Sequence, residues 1–124
     1  MPYNAVVHNY QRLQIYEFSL RIAEDTYALT RKLPNSERWG IGQQMNRSAV
    51  SIVSNIAEGA GRGDDRDFAR FLRIARGSAS ELEAQAELGT RLGFFDRSET
   101  HDFRDRIERI KSSITRLELR LQGE

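Results

Sequence analysis

Apolar residues recur at helical spacing in four stretches of the chain, and no stretch shows the alternation a half-buried strand requires. In the first, Ile15, Phe18, Ile22, Leu29 and Leu33 mark one face, widened by Tyr16, Leu20, Ala23 and Tyr27. This predicts a helix over about 11–33, stopped by Pro34, because proline disfavours helical backbone in the residue before it. The second stretch carries Ile41, Met45, Ala49, Ile52, Val53 and Ile56 and predicts a helix over 36–58. Asn35 or Ser36 caps its start, and Gly59 ends it as a left-handed cap. The third, over 65–92, starts at Asp64 or Asp65 and places Phe68, Phe71, Leu72, Ala75, Ala79, Leu82, Ala86 and Gly89 inward. The fourth, over 97–122, has the cleanest seam: Phe103, Ile107, Ile110, Ile114, Leu117 and Leu121 follow a coiled-coil-like repeat.

Three short connections make sequential helices antiparallel neighbours. The expected fold class is therefore all-α: a single-domain, up-down-up-down antiparallel four-helix bundle with left-handed packing over 11–122, preceded by a tail over 1–10. Small residues on the third helix (Ala75, Ser78, Ala79, Ala86, Gly89) face Ser48 and Ala49 of the second. These two helices should be the tightest pair.

The stretch "SIVSNIAEGAGR" is more polar than a helix end requires. At 100° per residue, Gln44, Arg47, Ser51, Asn55 and Glu58 form one polar line beside the apolar stripe. Asn55 lies nearest the core edge and needs partners, for which Ser78 and Gln85 of the third helix are placed. Glu58 opposes its own helix dipole but sits beside the start of the next helix, with Arg62 and Arg66 in reach. We read Gln44, Arg47, Ser51, Asn55, Glu58 and Gly59 as a structural brace for the hairpin. The glycines Gly59, Gly61 and Gly63 are no phosphate loop, since they follow a helix and precede Asp64 and Asp65.

Charge and composition narrow the chemistry. The formal charge is only +1, with 19 basic and 18 acidic residues, which argues against a dedicated nucleic-acid binder. There is no cysteine, hence no disulfide and no thiolate nucleophile or ligand. His8 and His101 lie in different segments with no metal-ligand spacing. Asn55 and Glu58 lack a convergent second acid, base or nucleophile, so no catalytic residue, metal or cofactor is expected. Neither a signal peptide nor a membrane-spanning run is legible, and a cytoplasmic location is the default.

On the fourth helix charges pair locally: Asp102 with Arg106, Asp105 with Arg109, Glu108 with Lys111. The third differs, with Arg66, Arg70, Arg73 and Arg76 in its first half and Glu81, Glu83 and Glu87 in its second. Arg73 and Arg76 have no acid three or four residues away. With Arg62 they form a basic patch open to three readings: a solvated face, a subunit contact, or a nucleic-acid contact. The charge polarity favours self-association, and Tyr16, Trp39, Phe94 and Phe95 lie outside the core pattern as candidate interface anchors.

Leu33-Pro34 with Glu37, Gln44 to Ser51, "SNIAEG" at Ser54 to Gly59, Gly61-Arg62, Phe68 with Phe71-Leu72, and Gly77, Ser78 and Glu81 together resemble the 23S ribosomal RNA intervening-sequence proteins, a four-helix-bundle family. The likeness runs from about Tyr10 to Leu117. Where that family commonly has proline before the serine, Val53 stands here, which should keep the second helix straight. The family is named for genes inside inserts of bacterial ribosomal RNA genes. It is similar to the accessory variability determinants of diversity-generating retroelements, strongly basic bundles that form pentameric rings and assist a reverse transcriptase. The resemblance implies a homo-oligomeric ring, a pentamer. The absence of a convergent catalytic set and the charge polarity of the third helix point to a non-enzymatic scaffold or adaptor, linked to a nucleic-acid process. The alternative is an RNA- or DNA-binding accessory factor using the arginine patch.

Overall fold

The computed structural model describes the backbone of residues 3–123 and the side chains of residues 11–123. Among the described residues four helices make up the fold: α1 (Tyr3–Thr30), α2 (Gln43–Ala60), α3 (Asp65–Arg91) and α4 (Arg97–Leu121). A 3-10 turn (Asn35–Glu37) and a π turn (Arg38–Gly42) join α1 to α2. The protein is an all-α four-helix bundle.

The predicted seams become the core. Ile22, Met45, Ala49, Ile52, Leu72, Ala75, Ala79, Leu82, Ala86, Ile107, Ile110 and Ile114 are fully buried, with Phe68 and Phe103 nearly so. In α1, buried Ser19 and Thr26 fill positions that the apolar pattern leaves blank. Their hydroxyls donate to the carbonyls of Tyr16 and Ile22, both at 2.7 Å, so burial leaves no donor unmet. The helices α2 and α3 meet over the longest shared face.

Helix boundaries differ from expectation in three places. First, α1 begins at Tyr3, inside the segment read as a tail over 1–10. No glycine or proline interrupts residues 3–10. At its other end α1 stops at Thr30, and Leu33 is held by a tighter bond from its N–H to the Thr30 carbonyl before Pro34.

Second, α2 starts at Gln43, because the Gly40 backbone (φ −103°, ψ −113°) is non-helical, and neither Asn35 nor Ser36 caps it. Third, Gly59 is not a left-handed cap. It is a buried member of α2, and Gly63 (φ 73°) makes the left-handed step. A Cβ at Gly59 would lie 2.7 Å from Phe71 Cβ and 2.8 Å from Phe68 Cδ1. The missing side chain lets α3 approach; it does not turn the chain.

At the other end of that hairpin, Asp64 caps α3 by accepting from the Arg66 N–H at 2.9 Å. A reciprocal capping box between Asp96 and Glu99 starts α4.

Candidate functional site

The polar line of α2 divides into three local environments. Gln44 and Arg47 are exposed near the helix start and make no hydrogen bond or ion pair among the described residues. Ser51 reaches across to α3, where its hydroxyl meets that of buried Ser78 at 2.7 Å. Asn55 turns back onto its own helix, donating to the Ser51 carbonyl at 2.8 Å and the Ser51 hydroxyl at 3.1 Å. It finds no partner on α3, contrary to expectation, and Gln85 Oε1 stays buried without one. Glu58 is exposed and pairs with Arg62 at 2.9 Å within the turn; it does not reach the start of α3. Its nearest cation is four residues away, and Asp64 takes the capping role at the start of α3.

The arginines read as a free basic patch are largely spoken for. Arg76 pairs closely with Glu118 of α4 and donates to the Thr115 hydroxyl at 3.1 Å. Arg73 stands 4.0 Å from the same Glu118 carboxylate. Arg70 bonds Asp67 at 3.3 Å and lies over the Phe71 ring at 4.4 Å, while Arg62 lies over that ring at 5.1 Å. Of the five, only Arg66 makes no side-chain ion pair or hydrogen bond among the described residues.

Glu118 is the organising group that helix-local pairing misses. It is 6% exposed, and burial pushes its carboxyl above the usual range against the opposing pull of Arg76 and Arg73. Its position, four residues after Ile114 and three before Leu121, marks the edge of the α4 seam, which is the one sequence signal that could have found it. Glu87 plays a similar part nearer the α3–α4 turn. It takes Arg91 at 2.8 Å, Arg97 at 3.1 Å and Arg104 at 2.5 Å. Hydrogen bonds from Arg97 and Arg91 hold its carboxyl down at about 2. Arg106 likewise leaves its expected partner Asp102 and pairs with Asp25 of α1 at 2.9 Å. The basic and acidic halves of α3 are thus neutralised mainly by α4.

Beside its exposed charges, α3 with its C-cap residue Leu92 also presents large apolar side chains outward. Ile74, Leu88 and Leu92 are 44%, 52% and 57% exposed, with Gly77 and Ala84 exposed between them. At 1.5 Å per residue this ridge extends about 27 Å. The aromatic candidates separate: Phe95 is buried against Gly89, Tyr16 and Phe94 pack at the core edge, and Trp39 is 75% exposed. His101 is exposed, whereas His8 lies outside the described side chains. Among the described residues no helix is long and apolar enough to cross a membrane, and no three His, Asp or Glu side chains converge to hold a metal ion.

Comparison places this architecture. A protein of unknown function from the S23 ribosomal protein family of Bacteroides thetaiotaomicron, known from its crystal structure, superposes with a TM-score of 0.81. It is 25% identical, and the match covers 87% of this chain and 97% of that one. No curated protein matches the chain. Residues 11–116 match the family described as 23S rRNA-intervening sequence protein, a span from α1 into the last turns of α4. With the hairpin "SNIAEGAGR", the close α2–α3 pair and nearly the whole bundle inside that match, the chain belongs to the 23S rRNA-intervening sequence protein family.

Proposed function

We propose that the protein is a non-enzymatic, homo-oligomeric helical-bundle scaffold or adaptor, a ring of five copies, linked to a nucleic-acid process. The observation that carries the assembly is the α3 ridge of Ile74, Leu88 and Leu92, three large apolar side chains left in water along one line. Large apolar side chains exposed along one helix face supply the anchors that a subunit contact would bury. Its flanks suit a protein partner: Arg70 and Arg73 border one end, and Glu81 lies between Ile74 and Leu88. The charge polarity of α3 supports the reading less than its apolar ridge does, because α4 already absorbs most of those charges. A ring needs a heterologous contact, in which the ridge meets a different surface of the next copy.

Light scattering coupled to gel filtration tests this. The expected result is a mass of five chains, reduced to that of one chain by the pair Leu88→Glu and Leu92→Glu with helical circular dichroism unchanged. A single-chain mass of 14.3 kDa for the unaltered protein overturns it.

A second reading, nucleic-acid binding through Arg62, Arg66, Arg70, Arg73 and Arg76, is favoured by the unpaired Arg66. Engagement of Arg73 and Arg76 by Glu118 works against it. It requires an affinity that falls steeply with salt and is lost on charge reversal of Arg70 and Arg73.

A further inference from the structure

The π turn between α1 and α2 sets Arg38 and Trp39 at the mouth of an open hollow of about 600 Å³. Trp39 is the chain's only tryptophan and its most exposed large apolar side chain among the described residues. Tyr27 of α1, 39% exposed, also lines the hollow, and Arg47 of α2 contributes a second guanidinium. Arg38 lies 5.5 Å from the Trp39 ring centroid. Neither Arg38 nor Arg47 makes an ion pair among the described residues, and no carboxylate lines the hollow. The nearest acid on the turn is Glu37, whose Oε2 points at Gly40. Amide groups complete the wall. Asn46 accepts the Thr30 hydroxyl at 2.9 Å on its oxygen, which leaves its NH₂ without a partner among the described residues; Gln43 is exposed.

These features combine into a recognisable chemistry. Two unpaired guanidinium groups give a local positive field in a protein whose overall charge is close to zero. An exposed indole and a phenol lining the same hollow offer flat π surface on which a planar base can stack. The free amide donors suit the edge of a heterocycle. Every other large ring in the described bundle is buried or at the core edge, except these two.

We propose that this hollow binds a nucleotide unit, the base stacking on Trp39 and the phosphate held by Arg38 and Arg47. The site shares no residue with the α3 ridge and does not depend on the assembly reading. It is also separate from the arginines of α3. The turn that presents it is held from beneath: a Cβ at buried Gly42 would lie 3.2 Å from the Glu37 carbonyl oxygen and 3.1 Å from Leu33 Cδ1.

Trp39 is its own reporter. Adenosine monophosphate and a short single-stranded oligoadenylate, each titrated into the full chain, should quench the tryptophan emission saturably. Quenching by both assigns a mononucleotide site; quenching by the oligonucleotide alone assigns a single strand and should weaken with salt. Anisotropy of the labelled oligonucleotide then tests the side chains: Trp39→Ala is expected to weaken binding roughly tenfold, the usual scale for loss of a stacked base, and Arg47→Ala to weaken it and reduce its salt dependence through loss of a phosphate contact. Both residues are exposed, so the variants should keep the helical circular dichroism of the parent.

Three results would overturn the assignment: no quenching by either ligand, equal binding of polyglutamate, or oligonucleotide affinity unchanged in these variants but lost on charge reversal of Arg70 and Arg73.

Discussion

The hydroxyls of Ser51 and Ser78 lie 2.7 Å apart across the closest pair of helices, and Asn55 donates to the same Ser51 oxygen at 3.1 Å. Ser51 therefore couples a half-buried amide on its own helix to a buried hydroxyl on the next. Its truncation to alanine leaves Ser78 without that partner where it is only 7% exposed. Orphaning a buried hydroxyl costs about 1–3 kcal/mol. Ser51→Ala and Ser78→Ala should each destabilise the bundle by about 1–2 kcal/mol, and the double variant by clearly less than their sum. Urea unfolding of the four proteins in this cycle measures the coupling. Additive losses would mean that the two hydroxyls do not bond in solution.

Gly59→Ala sets two effects of known size against each other. Alanine in place of a helical glycine gains about 1 kcal/mol from propensity. A methyl group 2.7 Å from Phe71 Cβ must push α3 away, and overpacking of this kind costs about 1–3 kcal/mol. Packing should win, with a lower midpoint of urea unfolding. Gly89→Ala should behave alike, because Phe95 Cε2 would stand 2.6 Å from the new Cβ.

These glycines show where sequence periodicity stops being informative. The 4-3-4-3-4 seam from Phe103 to Leu121 predicts burial correctly at every position, since one helix's pattern settles which face it hides. Gly59 reads as a helix stop because local rules know only its own helix, whereas its role is set by Phe68 and Phe71 on another helix. Arg76 reads as unpaired for the same reason. Its acid, Glu118, lies 42 residues away, and only the rotation of α4 against α3 brings the two together. Trp39 is legible as an aromatic off the pattern, but its setting depends on the π turn, a backbone irregularity without a periodic signature. The spacing of the α2 polar line places Asn55 for contact with α3, yet Ser51 is the member of the line that bonds to that helix.

The two organising carboxylates should give opposite dependences of stability on pH. Burial raises the folded pKa of Glu118 above its ordinary 4.5, so the folded state favours its protonated form. That contribution is fully present below 4.5 and is lost as pH rises through the folded value. Glu87 is held at about 2, so its contribution is present above 4.5 and is lost as pH falls towards 2. Stability relative to a Glu118→Gln variant should therefore rise on acidification from neutral towards 4.5. Stability relative to Glu87→Gln should hold over that range and fall below it. Urea midpoints of the three proteins across the acid range provide the check, and parallel curves would show that neither carboxylate is perturbed.

Gly77 offers a test that separates the bundle from its assembly. It lies inside α3 on the outward ridge between Ile74 and Leu88, and a Cβ added there would meet no atom within 4 Å. Within one chain, Gly77→Ala adds only helix propensity and should stabilise by up to about 1 kcal/mol. If the ridge is covered by a neighbouring copy, the same methyl group enters an interface packed without it. Overpacking there should loosen the assembly even as each bundle becomes more stable. The expected pattern is a higher urea midpoint in dilute protein, where chains are dissociated, together with a smaller mass by light scattering at high concentration. A higher midpoint with unchanged mass would place the subunit contact away from Gly77, and with it away from the Ile74 end of the α3 ridge.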